Sequence, residues 1–230
     1  MTTPIDPAKV CFVIPAFNED AAIGDVVRAV RARFPEVVVV DDGSRDQTAD
    51  AARRAGAVVL RHVINRGQGA ALKTGIEYAL RRCAAVIVTF DSDGQHRLED
   101  VDRLIEPVVA GRCDVALGSR FLAPGSNVPP LRKLTLKLGV AFTRTISGIR
   151  VTDTHNGLRA LSRDAAARIE ILQDRMAHAS EILDEIARLK LRYEEVPVRI
   201  RYSDYSQAKG QRSSAAFRIA WDFLVGKLSK

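Results

Sequence analysis

VIVTFDSDGQH, residues Val86–His96, carries the sharpest change of character in the chain. The apolar run Ala84–Phe90 has the make-up of a strand buried on both faces. It stops abruptly at Asp91-Ser92-Asp93-Gly94-Gln95-His96. Two carboxylates one residue apart, where a buried strand ends, cannot stay unpaired away from water. A hard divalent cation, Mg²⁺ or Mn²⁺, prefers oxygen ligands and often arrives with substrate phosphates. Asp91 and Asp93 would be its ligands, with the Gln95 carbonyl oxygen as a third. Asp, Ser and Gly are also ordinary turn residues, so a simple turn cap stays open.

On the N-terminal side the apolar runs Val10–Ile14, Val37–Val40 and Val58–Leu60 read as strands. The spacing of Ile23, Val26, Val27 and Val30 predicts a helix over Asp20–Arg33, ended by Pro35. Further helices are expected over Asp46–Ala55, Gly67–Arg82 and Leu98–Ala110, and a fifth strand, Val115–Leu117, runs into Gly118-Ser119-Arg120. Strands alternating with helices across short connections predict an α/β fold: one mostly parallel sheet with helices on both faces. Ligands of such sheets bind at the carboxyl ends of the strands, at a topological switch point. Four polar clusters sit at those ends: Pro15–Glu19, Asp41–Ser44, Asp91–His96 and Gly118–Arg120.

The back half is less regular. Phe121–Pro130 is a Pro/Gly/Asn loop, and Leu131–Ile146 an amphipathic basic helix. Thr152–Arg159 leads into a short strand or turn, Ala179–Leu189 reads as a helix and Arg192–Arg201 as a strand. Tyr202–Ser214 is a polar loop, followed by an amphipathic helix over Ala215–Leu228. A chain of 230 residues points to a single domain. No apolar run is long enough to span a membrane, and the first residues lack a signal pattern. Cys11, Cys83 and Cys113 show no metal-binding spacing and read as packed free thiols of a reducing cytoplasm.

The net charge of +7 is uneven. Residues 1–110 hold 14 Lys/Arg against 16 Asp/Glu, a balance of −2; residues 111–230 hold 21 against 12, a balance of +9. Six basic and no acidic residues lie between Val115 and Thr152, which suits an anionic partner. Asp41-Asp42 at the end of the second strand can accept hydrogen bonds from a base or ribose, or form an Asx turn with Gly43. Asn65-Arg66-Gly67-Gln68-Gly69 offers backbone N–H groups to a phosphate or to a loop carbonyl. It misses a Walker loop because Leu72 stands where glycine is needed before Lys73-Thr74. Lys73 is either a donor-phosphate contact or a surface lysine.

VIPAFNE, VVVVDDGSRDQT, NRGQGAALKTG, DSDGQH, GSRF and DTHNGLRA, in this order and spacing, resemble the family 2 glycosyltransferases. The resemblance spans about residues 9–210 and is nearest to the dolichyl-phosphate mannose synthase-like branch, whose members pass a sugar from a nucleotide to a polyprenyl phosphate. It implies a GT-A fold, with about 1–120 as the nucleotide-sugar half and about 121–230 as the acceptor half. It also implies inverting hexosyl transfer dependent on Mg²⁺ or Mn²⁺. Pro15, Phe17 and Glu19 would line the base and ribose, although tyrosine is frequent in the family at Phe17. Asp42 would hold the base beside Val40. Asp91, Ser92 and Asp93 form the D-x-D motif, and Gln95 completes the metal shell. Arg120 and Arg132 would face the acceptor phosphate, where the charge pattern adds Lys133 or Lys137; Lys209 would cover the donor diphosphate, and Asp153 and Arg159 match the motif beyond the acceptor helix.

Charge argues the same chemistry. Departure of a nucleoside diphosphate builds negative charge, which a divalent ion stabilises. A hydroxyl acceptor would need a carboxylate base. A phosphate monoester is already anionic at neutral pH and needs cations to place it. The acid-free span 115–152 fits the phosphate. The implied partners are therefore a nucleotide-sugar, a polyprenyl phosphate and a membrane surface, met directly or through a separate membrane subunit. The expected location is the cytoplasmic face of the membrane. One rival is a soluble enzyme acting on a saccharide hydroxyl, with Asp153 as base. The other is a nucleic-acid-binding module, disfavoured because no aromatic platform is interleaved with the lysines.

Overall fold

The computed structural model describes residues 6–82, 84–122, 140, 144 and 147–201. Seven strands form one sheet: β1 (Val10–Ala16), β2 (Glu36–Asp41), β3 (Val58–Arg61), β4 (Val86–Thr89), β5 (Val115–Ser119), β6 (Arg159–Ser162) and β7 (Tyr193–Pro197). Their order is β3-β2-β1-β4-β6-β5-β7. All pairings are parallel except the two made by β6, which runs antiparallel between β4 and β5. The mostly parallel sheet expected from the pattern is present, with one strand reversed.

Alternate residues of the central strands feed two cores. Phe12, Ile14, Val37, Val39, Val86 and Val88 pack beneath α1 (Asp20–Arg31), α2 (Thr48–Arg54) and α4 (Val101–Val109). Cys11, Val13, Val38, Val40 and Ile87 pack beneath α3 (Gln68–Arg81), α5 (Arg163–Arg168) and α6 (His178–Arg188). Burial on both faces is why these strands read as continuous apolar runs. Burial also pushes the Cys11 thiol up to about 12 and the Cys113 thiol to about 11, so both are inert packed thiols.

Local chemistry moves several boundaries. The expected helix start at Asp46 falls at Thr48, because the Asp46 carboxylate accepts from the Thr48 N–H at 3.0 Å and from its hydroxyl, an Asx turn just ahead of the helix. The fourth helix opens with a 3-10 turn over Leu98–Asp100. Helix α5 was not foreseen; Ser162 caps it by accepting from the Ala165 N–H. The expected Arg192–Arg201 strand contracts to Tyr193–Pro197, with an isolated bridge from Ile200 to His96. The loop before the basic helix lies mostly outside the described residues, as do most of Leu131–Ile146, the loop 202–214 and the helix expected over Ala215–Leu228.

Helix α3 starts against a back-half loop. A Cβ on Gly69 would lie 2.0 Å from the Gln173 carbonyl oxygen, and one on Gly67, at φ +117°, would lie 2.4 Å from that of Asp174. The Ala70 N–H donates to the Asp174 carbonyl at 3.0 Å. Within the loop itself the Arg66 and Gly67 N–H groups donate to the Asp42 carboxylate, and the loop carbonyl of Asp174 is met by the next residue along, Ala70. Gly69→Ala should therefore destabilise the protein by about 1–3 kcal/mol, the usual range for overpacking, measured as a lower denaturation midpoint at unchanged m-value.

Candidate active site

Strand β4 delivers Asp91 to the rim where β1, β2 and β5 also end. The reversal of β6 brings the opposite end of that strand to the same rim: Thr89 is paired with Arg159, as is Leu117. The 153–159 segment therefore lies beside Asp91, and the Thr89 hydroxyl donates to the Gly157 carbonyl at 2.6 Å.

Asp91 is held on three sides. Its Oδ2 is 2.8 Å from His96 Nε2, and its Oδ1 accepts from Gln68 Nε2 at 3.2 Å. Gly157 forms the third wall, since a Cβ there would fall 2.4 Å from Oδ1. The carboxylate remains 29% exposed, so one side still faces the rim. Burial pushes the Asp91 carboxyl up, but His96, then Arg159 and His178, outweigh it and hold it below the ordinary carboxylate range. Gly157→Ala should displace this carboxylate. We expect turnover to fall at least about 100-fold, in line with the cost of a 1 Å misplacement, with the far-ultraviolet circular dichroism unchanged.

Asp93 takes the opposite shift. Burial first, then the charge of Asp91 and that of Glu19, raise its pKa. Its Oδ1 accepts from the Gln95 N–H at 3.0 Å and its Oδ2 from Gln95 Nε2 at 2.6 Å, which leaves the Gln95 side-chain carbonyl uncommitted by this contact. Two repelling carboxylates and an amide oxygen are a donor set of the hard-cation type. Among the described residues no group of three or more His, Cys, Asp or Glu could hold a metal ion. A cation here would thus take its remaining oxygens from an anionic ligand. The residues fit a divalent ion that arrives with a diphosphate.

Behind the carboxylates lies a buried charged layer. Arg120 binds Asp153 with Nε to Oδ2 and Nη2 to Oδ1, both at 2.7 Å. The Arg120 N–H reaches the same Oδ2 at 3.1 Å. Burial pushes the Asp153 carboxyl up, and the hydrogen bonds and charge of Arg120 bring it below its ordinary value. Glu195 anchors this turn by accepting from the Thr152 N–H and hydroxyl. Arg159 is buried on β6; burial lowers it to about 10, against the opposing pull of Asp91 and Asp153. His178 at the start of α6 is lowered to about 4 by burial and by Arg159.

On the other side of β1 a cleft of about 700 Å³ opens between the Phe17-Asn18 turn and the loops 43–45 and 61–65. Phe17, Val63 and Ile64 present exposed apolar surface there. Asn18, at φ +54°, locks two of these walls: its N–H donates to Ser44 Oγ and its Oδ1 accepts from the Arg45 N–H. Asp42 is buried beneath the cleft. Its Oδ1 meets His62 Nδ1 at 2.7 Å and the Arg66 N–H at 3.0 Å, and its Oδ2 accepts from the Gly67 N–H at 2.6 Å. His62 Nε2 also meets Thr74 Oγ1 at 3.0 Å. The cleft thus combines an aromatic ring with the two arginines Arg45 and Arg61 in its lining.

The family model for glycosyl transferase family 2 matches residues 11–169. The chain belongs to that family. An uncharacterized protein of Methanocaldococcus jannaschii is 36% identical over 97% of this glycosyltransferase and 94% of its own length. The UDP-N-acetylglucosamine–dolichyl-phosphate N-acetylglucosaminyltransferase of Methanococcus voltae is 31% identical over 95% of this chain and 96% of its own. A polyprenol monophosphomannose synthase of Mycolicibacterium smegmatis is 34% identical over 72% and 68%. The GT-A fold is shared with glucosyl-3-phosphoglycerate synthase of Mycobacterium tuberculosis, solved with Mn²⁺, UDP-glucose and phosphoglyceric acid. That structure has a TM-score of 0.72 at 20% identity, over 96% of this chain and 78% of the other.

The rim of this family 2 glycosyltransferase gathers most of the residues named from sequence. Pro15, Val40 and Ser92 are buried at strand ends, Phe17 lines the cleft, and the charge of Glu19 reaches Asp93. Lys73 lies on the exposed side of α3. Arg132, Lys133 and Lys209 lie outside the described residues. Asn18, His62, Gln68, His96, Gly157 and His178 were not picked out. Asn18, Gln68, His96 and Gly157 stand inside the quoted motifs, whereas His62 and His178 lie outside all of them and carry no local signal.

Proposed function

We propose that this glycosyltransferase moves a hexose, with inversion, from a UDP- or GDP-sugar to a polyprenyl phosphate at the cytoplasmic face of a membrane. The base stacks on Phe17 in the cleft, over the floor set by Pro15, Val40 and Asp42, with Glu19 toward the ribose. Lys73 and Lys209 complete the donor-phosphate contacts; for Lys209 the support is that the Arg201 N–H donates to the Gln95 carbonyl, which leads the chain past the carboxylate turn. Asp91, Asp93 and Gln95, with Ser92 between, hold Mg²⁺ or Mn²⁺, which supplies positive charge to the departing diphosphate. Arg120, its charge matched by Asp153, braces the acceptor side, Arg159 adds positive charge there, and Arg132 and Lys133 supply the remaining cations. An acceptor phosphate oxygen then forms the new bond to C1 as the bond from C1 to the diphosphate breaks on the opposite face. The lipid end meets the membrane directly or through a separate membrane subunit; no helix of the described residues is long and apolar enough to cross one.

One observation carries the acceptor class. Asp153, the carboxylate that a hydroxyl acceptor would use as base, has both oxygens gripped by Arg120 and is held below its ordinary pKa. A general base works best near the operating pH with a lone pair toward its proton. The relatives named above point the same way. The test incubates the protein with UDP- and GDP-sugars, Mn²⁺, and either undecaprenyl phosphate, dolichyl phosphate or a saccharide. A lipid-linked sugar formed only in the polyprenyl phosphate reactions is the expected outcome. Transfer to the saccharide alone would refute it.

A further inference from the structure

His96 is buried at the centre of the carboxylate turn, with its side chain only 2% exposed. Its ring stands edge-on to Phe90, 5.2 Å between centroids at 65°, and its backbone bridges to Ile200. Nε2 lies 2.8 Å from Asp91 Oδ2, while Nδ1 is buried without a partner. A carboxylate only accepts, so Nε2 carries a proton in this contact and the ring has one polar tie. The other oxygen of Asp91 has a longer bond, 3.2 Å, from Gln68. Arg159 is buried on β6 opposite Thr89, two residues before Asp91. Freed from His96, the carboxylate would keep the longer Gln68 bond and lose the tie on its other oxygen.

We propose that His96 is a positioning residue that holds Asp91 outward, with its free lone pairs turned to the rim beside Asp93. The proposal rests on the metal-binding reading of the two aspartates. Partners that orient a ligating carboxylate typically change metal affinity 10–100-fold when removed. His96 is thus part of the metal site without touching the ion.

The test measures Mn²⁺ affinity in the presence of UDP or GDP, by the electron paramagnetic resonance of free Mn²⁺, with melting temperature recorded alongside. His96→Leu keeps an apolar body against Phe90 and removes the donor; His96→Gln restores an N–H at similar reach; His96→Asn carries one too short to reach Asp91. We expect Leu and Asn to weaken Mn²⁺ binding about 10–100-fold, and Gln to recover most of it. Equal affinity in the wild type and the Leu variant overturns the proposal, as does a folded Gln variant as weak as Leu. If Leu does not fold, the Gln and Asn variants decide it, and equal affinities refute it. A wild type that binds no Mn²⁺ with either nucleotide refutes the metal reading itself and this proposal with it.

Discussion

Asp93→Asn will lower turnover by about 10²–10³-fold while raising the melting temperature of the metal-free protein. The loss follows from removing one of two carboxylates proposed to hold the cation that stabilises the leaving diphosphate; single electrostatic contacts of this kind carry about 10²–10³-fold. The gain in stability follows from the sign of the Asp93 shift. Burial and the neighbouring Asp91 charge raise its pKa in the folded protein. The folded state therefore binds more protons than the unfolded state above the ordinary value of about 3.9, and stability falls as pH rises through that window. At pH 7.5 the charged form is a net cost, which asparagine removes at nearly constant shape. The relief is read as a rise in melting temperature, at roughly 2–4 °C per kcal/mol for a chain of this size. Calorimetry at pH 7.5 and pH 4 checks it: the difference from wild type should shrink at the lower pH. A variant that melts below wild type at pH 7.5 would show that Asp93 stabilises the turn, and the reading of strained, metal-ready carboxylates would fail.

Asp153→Ala should be the most destabilising of these substitutions. The side chains of Asp153 and Arg120 are 0% and 7% exposed, and they share two hydrogen bonds of 2.7 Å. Removing one partner leaves the other charge buried, which typically costs about 3–5 kcal/mol. At about 2–4 °C per kcal/mol this is a fall of roughly 6–20 °C in melting temperature. The double variant Arg120→Met with Asp153→Leu should recover much of it, since an apolar pair of similar volume is often neutral. The pH dependence has the opposite sign to that of Asp93. The folded pKa of Asp153 lies below its ordinary value. Its contribution is fully present above about 3.9 and is lost as pH falls through the folded pKa. The gap between wild type and Asp153→Ala should thus be level from pH 7 to pH 5 and close in stronger acid. A gap that instead closes with added salt would mark the pair as solvent-screened.

The two experiments separate roles that the motifs alone present as equivalent. Asp91, Asp93 and Asp153 are all acidic residues after apolar strands or in polar turns. The first two repel each other at an open rim; the third is neutralised inside the protein by an arginine. The proposed catalytic use rests on the first arrangement, and the second is that of a buried ion pair.

The front half of the fold was readable because each strand is apolar on both faces and each helix has a clear stripe; periodicity is a local property of the chain. The D-x-D turn was readable for the same reason: charge placed directly after a buried strand has few explanations. What tertiary structure alone decided is which distant groups meet. The reversal of β6 between β4 and β5 brings Gly157 and Arg159 against Asp91, and no local signal specifies a strand's neighbours. The N–H groups of the glycine loop could serve a phosphate or a carbonyl; tertiary approach alone turns Arg66 and Gly67 to the Asp42 carboxylate and Ala70 to the Asp174 carbonyl. Asp42 was named as a base contact, and His62 and the 66–67 backbone occupy its oxygens. Composition and spacing determine the class of chemistry, since they place the charges at strand ends. Pairing across tens of residues determines which charges stay available, because hydrogen bonding and burial act in space and not along the chain.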